Sequence, residues 1–290
     1  MRTLITLIRA TRLALHLAYG LMIALVFPWL SSARQRDTLR LWSADLLKIL
    51  NIHLSATKHM QTSPGIVVSN HISWLDIFVL NAVMPMRFIA KSEVKSWPVI
   101  GWLCTRAQTL FIERGRARNA AHINNQVTAL LLDGACVAAF PEGTTTDGTD
   151  VGVFHASIMQ PAIEACAHIY PVAIRYQDTL GVHSTAPAYI DDLSFAASLF
   201  NVLSCPNLHV HLHVTPSISA AHSDRRTLAY RAHLQIRTAL QDLHAVRNTS
   251  TIAPHTREKP DALYGTLLVS PQYNLHDMDT IMADGVLHAR

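Results

Sequence analysis

Short apolar runs rich in Val, Ile and Ala, each bounded by Pro, Gly, Ser or a charged residue, alternate along this chain with longer stretches of helical spacing. Strand-like runs occupy residues 65–69, 87–90, 109–112, 135–140, 169–176 and 208–214. Helical spacing occupies 73–80, 118–132, 157–167 and 225–243, and 98–103 reads as a short helix or loop. Residues 36–62 read as an amphipathic helix around Leu39, Leu46, Leu47 and Leu50, followed by a short strand. Gly134 stands where a helix C-cap belongs. Elements alternating in this way bury their apolar faces by laying helices over a sheet. The expected fold is α/β, a mixed sheet flanked by helices, with an N-terminal membrane-binding helical segment.

That last expectation rests on residues 13–30, which are apolar except for His16, Gly20 and Pro28. Arg2, Arg9 and Arg12 precede the run, and Arg34, Arg36 and Arg40 follow it. The run is close to the about 20 residues that cross a bilayer, and the arginines suit anionic headgroups. Basic residues at both ends leave its orientation open, and it fits a spanning or an interfacial helix. Only 15% of the chain is charged, against about 25% in soluble domains. The chain therefore leans toward lipid, yet is too polar for a protein of many spans. Three parts are expected: membrane-binding helices at 1–54, a catalytic domain at 55–245, and a polar, poorly ordered tail at 246–290.

A net charge of +4 without a Lys/Arg stripe interleaved with aromatics speaks against nucleic acid. The four cysteines (Cys104, Cys136, Cys166, Cys205) are widely spaced, with no CxxC or zinc spacing, as for thiols in a reducing cytosol. His209, His211 and His213 share one face of a strand, but without a neighbouring carboxylate or thiolate they read as a solvated face. No metal is expected. Trp74, Trp97 and Trp102 read as packing residues or interfacial anchors.

The chemistry is sought where strands end, because ligands in α/β folds gather there. His71 follows the strand at 65–69, and Asp76 falls on the first turn of the helix after it. An imidazole oriented by a carboxylate is a general base. Ser73-x-x-Asp76 equally resembles a capping box, which would make Asp76 a helix-start residue. Three further strands end in polar blocks: Thr-Leu-Phe-Ile-Glu-Arg at 109–114, Phe-Pro-Glu-Gly-Thr-Thr-Thr-Asp-Gly at 140–148, and Tyr-Pro-Val-Ala-Ile-Arg-Tyr at 170–176.

These four blocks in this order resemble the glycerolipid acyltransferase family typified by 1-acylglycerol-3-phosphate acyltransferase. The family's His-x4-Asp matches His71 and Asp76, its second block matches 111–114, its Phe-Pro-Glu-Gly-Thr matches 140–144, and its Val-Pro-Val-type strand matches 170–173. The resemblance implies a membrane-associated enzyme with a cytoplasmic catalytic domain. It would move a fatty acyl group from acyl-CoA or acyl carrier protein, with no other cofactor, to a lysophospholipid hydroxyl, first of all that of 1-acylglycerol-3-phosphate. By the same resemblance His71 deprotonates the hydroxyl and Asp76 orients it. Lys91 and the main chain near Gly143 would face the oxyanion, and Arg114 would bind the acceptor's phosphate. Glu142 would hold the acceptor loop or an acceptor hydroxyl, and Thr144 and Thr145 would line the acceptor site. One departure stands out: many phosphatidate-forming members carry Arg where this chain has Thr145. Arg114, Arg116 or Arg175 would then compensate, or the acceptor is another lysolipid such as lyso-ornithine lipid. A catalytically silent lipid-binding protein is the reading from another class, and the intact His71, Asp76, Glu142 and Gly143 weigh against it.

Overall fold

The computed structural model describes residues 2–57, 64–113 and 117–250. Helix α1 (Arg2–Val26) runs into a 3-10 turn at Phe27–Trp29, where Pro28 offers no amide proton to a longer helix. Helix α2 (Ser32–Leu50) starts at Ser31, whose hydroxyl accepts from the Arg34 amide, and ends at Asn51 in the left-handed conformation. There follow β1 (Ile52–Ala56), β2 (Gly65–Ser69), α3 (Leu75–Val83), β3 (Arg87–Lys91), α4 (Ser92–Lys95), α5 (Ile100–Arg106), β4 (Leu110–Ile112), α6 (Ala117–Leu132) and β5 (Cys136–Ala139). A 3-10 turn at Ala156–Met159 leads to α7 (Gln160–Glu164), β6 (His168–Gln177), α8 (Phe195–Ser204), β7 (Leu208–Val214), β8 (Ile218–Ser219) and α9 (Arg225–Ser250).

The strands form one sheet in the order β1-β7-β6-β2-β5-β3-β4, with β8 beside β6. Strands β6, β2, β5, β3 and β4 run parallel, while β7 is antiparallel to β6 and carries β1 alongside it. The expected mixed sheet is therefore present. Its central strand β2 is buried along its whole length, as a Gly-Ile-Val-Val-Ser run flanked on both faces requires. Val67 packs on one side with Leu46, Leu47, Leu75, Val79 and Leu203 of α2, α3 and α8. Ile66 and Val68 pack on the other with Ile123, Val127, Leu228 and Ile236 of α6 and α9. Gly65 is required by close approach: a Cβ there would lie 2.4 Å from the Tyr170 ring and 2.5 Å from the His168 carbonyl oxygen.

The N-terminal helices join this core. Leu13, Leu46, Leu47 and Leu50 share the cluster under α3, and the expected boundary at 54/55 falls inside β1, which pairs with β7. Arg9 fastens α1 to the end of α8 by donating to the carbonyls of Leu203, Cys205 and Pro206. These are groups a helix C-terminus leaves unpaired. His16 stacks on Trp42 at 4.5 Å and bonds its carbonyl at 3.0 Å. The opposite face of α1 is apolar and open, with Leu4, Leu7, Leu15, Tyr19 and Met22 each more than 60% exposed. Among the described residues Thr3–Trp29 is the segment long and apolar enough to cross a membrane, with mean hydropathy 1.6.

One expected helix is corrected. The helix expected at 157–167 is a 3-10 turn and the short α7, because Cys166 turns the chain left-handed (φ 48°) just before β6. Of the tail expected at 246–290, residues 246–250 continue α9, and 251–290 lie outside the described residues.

Candidate active site

The site is built at the carboxyl ends of β2, β5 and β6. Beyond Ser69 the buried Asn70 clamps β2 to β6: its Nδ2 donates to the Ile174 carbonyl at 3.0 Å, and its Oδ1 accepts from the Ile174 amide at 2.8 Å. The chain then turns through His71, Ile72 and Ser73 into α3. His71 Nδ1 lies 2.9 Å from Asp76 Oδ2. The same oxygen accepts the amides of Ile72 at 2.7 Å and Ser73 at 3.0 Å, and Ser73 Oγ accepts from the Leu75 amide. Asp76 thus caps the helix start and orients the imidazole at once. Its Oδ1 accepts from the Tyr176 hydroxyl at 2.8 Å. Asp76 is fully buried, whereas the His71 side chain keeps 19% of its surface. With Nδ1 donating to the carboxylate, Nε2 is the acceptor nitrogen of the neutral ring, and it bonds to none of the described residues.

The β5 end supplies the wall behind the imidazole. Phe140 stacks on it with centroids 3.9 Å apart and planes 9° from parallel. Glu142 is buried and spends both oxygens on main chain: Oε1 accepts from the His71 amide and Oε2 from the Gly152 amide, each at 2.7 Å. Burial pushes the Glu142 carboxyl up, against the opposing pull of the Gly152 and His71 amides. Thr146 closes the frame by donating its amide to the His71 carbonyl at 2.8 Å. The segment after β6 covers it: the Tyr189 amide donates to the Ile72 carbonyl at 2.9 Å, and the Thr145 hydroxyl donates to the Tyr189 carbonyl.

These contacts sort the expected site residues. His71 and Asp76 come together. Lys91 is exposed at the end of β3, on the same edge of the sheet. Thr144 is exposed in the turn after β5. Of the others, Glu142 holds two loops, Thr145 ties to the Tyr189 segment, and the Gly143 amide donates to the Phe140 carbonyl at 3.0 Å. Arg114 and Arg116 lie outside the described residues. Arg175, offered above as a compensating cation, is 3% exposed and sits beside His211 on the sheet face opposite Tyr176. Burial, with His209 and Arg175 nearby, lowers the His211 pKa, and among the described residues no three His, Cys, Asp or Glu side chains cluster to hold a metal ion.

A family model described as Acyltransferase matches residues 51–175. The lyso-ornithine lipid O-acyltransferase of Pseudomonas aeruginosa is 35% identical over 245 residues, 81% of this chain and 93% of that protein. The chain belongs to the acyltransferase family. The 1-acyl-sn-glycerol-3-phosphate acyltransferase of Neisseria meningitidis serogroup B is 36% identical over 200 residues, 68% of this acyltransferase and 78% of its relative. The crystal structure of the 1-acyl-sn-glycerophosphate acyltransferase PlsC from Thermotoga maritima matches with a TM-score of 0.64 at 18% identity, over 84% of this chain and 98% of that one. That likeness carries the fold, a mixed sheet with flanking helices.

Two residues of this acyltransferase's site escape sequence reasoning, Asn70 and Tyr176. Both act across the β2–β6 pairing. For Asn70 the available signal was a polar side chain just past the apolar Ile-Val-Val run of β2, where it needs a partner.

Proposed function

We propose that this acyltransferase moves a fatty acyl group from the thioester of acyl-CoA or acyl carrier protein to the free hydroxyl of a membrane lysolipid. The observation that carries this is the His71–Asp76 pair, with Nδ1 committed to the carboxylate and Nε2 bonded to none of the described residues. Nε2 takes the proton of the acceptor hydroxyl as its oxygen attacks the thioester carbonyl. The tetrahedral oxyanion then collapses, the C–S bond breaks, and the leaving thiolate takes the proton back from His71. Asp76 fixes the tautomer and stabilises the imidazolium. Lys91, exposed on the same sheet edge, would polarise the carbonyl. Glu142 and Thr146 hold the main chain of His71 in place. The open apolar face of α1 would sit in the bilayer, with the catalytic body on the cytoplasmic side where both donors occur.

For the acceptor, the relatives name two candidates. 1-Acylglycerol-3-phosphate fits the family blocks and would take its phosphate contact from Arg114. Lyso-ornithine lipid is favoured by Thr145, which brings no charge to the acceptor loop and is tied to the Tyr189 carbonyl, and by the longer match to the Pseudomonas aeruginosa relative. The test is purified enzyme in vesicles, with labelled acyl-CoA or acyl carrier protein, against a panel of lysolipids. One lysolipid should be acylated, and His71→Ala should lower kcat by about 10²–10⁴-fold. A folded His71→Ala variant with wild-type turnover would sink the mechanism. Acylation of lyso-ornithine lipid without 1-acylglycerol-3-phosphate, or the reverse, would decide the acceptor.

A further inference from the structure

Tyr176 stands at a fully buried position of β6 among Ile174, Val172 and Leu212. A Phe would fill that volume without burying a hydroxyl, which costs free energy unless it is bonded. The hydroxyl is bonded, to Asp76 Oδ1 at 2.8 Å. The two carboxylate oxygens of Asp76 are unequally served. Oδ2 takes His71 Nδ1 and the Ile72 and Ser73 amides, while the hydrogen bond to Oδ1 comes from Tyr176. The bidentate Asn70–Ile174 clamp fixes how far β6 runs past β2, and so delivers Tyr176, two residues beyond Ile174 on the same face, to Asp76.

We propose that Tyr176 is a positioning residue for the transfer reaction: its hydroxyl holds the Asp76 carboxylate in the rotation that presents Oδ2 to His71, and shares the negative charge that Asp76 offers the imidazole. This rests on His71 acting as the base. The phenol remains a donor throughout the working range, because burial and the adjacent Asp76 push it well above its ordinary value. Other titratable groups of the described residues near this turn have contacts of their own. Glu142 lies on its main-chain amide and is engaged twice; Asp147 pairs with Thr149 in the next turn and accepts from His183 through its carbonyl; Lys91 projects to solvent from β3. Tyr176 is therefore the hydrogen-bonding group that modulates Asp76 from the far side.

The sign follows. Without the hydroxyl, Asp76 loses a donor that spreads its charge, so it stabilises the imidazolium more strongly. A base that holds its proton to higher pH shifts the acid limb of the rate profile upward.

The test is Tyr176→Phe, assayed in vesicles over a pH series beside wild type. Expected are a kcat lower by roughly tenfold, an unchanged acceptor KM, and an acid limb moved up by about half to one pH unit. In an Asp76→Asn background the same substitution should do nothing further, since it acts through that carboxylate. Incorporating a fluorotyrosine at position 176, which keeps the fold and strengthens the donor, should move the limb down. An unmoved limb in both variants, or an equal kcat loss in the Asp76→Asn background, would overturn the proposal and leave Tyr176 as packing. If His71→Ala is inactive while these limbs stay put, this inference alone fails. If His71→Ala is active, the base assignment fails first.

Discussion

Glu142 offers the sharpest division between two roles, because an acidic residue in this loop could serve either the acceptor or the fold. Glu142→Gln keeps the size and one acceptor oxygen, and turns the other oxygen into an amide nitrogen. One of the two amides now received at 2.7 Å, that of His71 or that of Gly152, is then left facing a donor inside the protein. A lost hydrogen bond to a charged group with its partner left unsatisfied costs about 1.5–3 kcal/mol, offset in part by no longer burying a carboxylate. A net loss of about 2 kcal/mol lowers the melting temperature by roughly 4–8 °C for a body of this size. His71 loses one anchor of its main chain, and a displacement of about 1 Å costs on the order of 10²-fold in turnover. The expected signature is a lower melting temperature and a lower kcat with an unchanged acceptor KM. The pH dependence has a definite sign. The Glu142 carboxyl is raised in the fold, so its contribution to stability is fully present below the ordinary glutamate value of about 4.3 and is lost as pH rises through the raised one. The gap in melting temperature between wild type and Glu142→Gln should therefore narrow as pH climbs through that window. An unchanged melting temperature with a many-fold rise in acceptor KM and intact kcat would refute the clamp and return Glu142 to the acceptor.

Two further outcomes follow from the same contacts. Asn70→Ala removes both bonds to Ile174 and leaves a buried amide and carbonyl without their partner, a cost of about 2–4 kcal/mol by chemical denaturation; a loss under about 1 kcal/mol would show that water replaces the clamp. Asp224 caps α9 by accepting from the Arg226 and Thr227 amides, and its pKa is lowered, the Thr227 side chain being the largest cause. Its contribution is present above the ordinary aspartate range and lost as pH falls through the lowered value. Asp224→Asn, which keeps an acceptor oxygen, should flatten the acid end of the melting curve, and an unaltered curve would count against the cap.

The fold was legible where local pattern and tertiary context agree. β2 reads as buried from Ile-Val-Val alone, and it is buried on both faces; α6 and its Gly134 end read from spacing and from the left-handed glycine that stops it. Helix α8 is hidden in the sequence because its inward stripe contains a polar residue, the buried Ser198, while the apolar Phe200 faces outward; its place is set by Val202 and Leu203 in the core under α3. In the site, His71 and Asp76 were legible because both lie within one turn-and-helix unit. Tyr176 was not, because it meets Asp76 from 100 residues away, in register only after β6 pairs with β2. The two main-chain partners of Glu142 are hidden for a related reason. A Pro-Glu-Gly turn at a strand end faces the ligand edge in outline, and only the path of residues 145–152 back across the site shows that the carboxylate points inward to hold it.

The choice posed by the sequence, a helix cap or a catalytic partner at Asp76, dissolves on inspection of one oxygen. Oδ2 accepts the Ile72 and Ser73 amides, donors of the turn that leads into α3, and Nδ1 of His71 as a third donor. The capping geometry is what makes the catalytic geometry possible. Amides of the residues between His71 and Asp76 converge on the carboxylate, so the backbone must curl, and the curl swings the imidazole round to the same oxygen. The N-terminal end of α3 adds a favourable field for the negative charge. Four intervening residues are what this curl requires: fewer would not reach from the turn to the first helical turn, and more would place the carboxylate on another face of α3. The His-x4-Asp spacing is thus the footprint of a buried carboxylate serving helix and imidazole together, and Tyr176 is the contact that keeps its second oxygen from turning away.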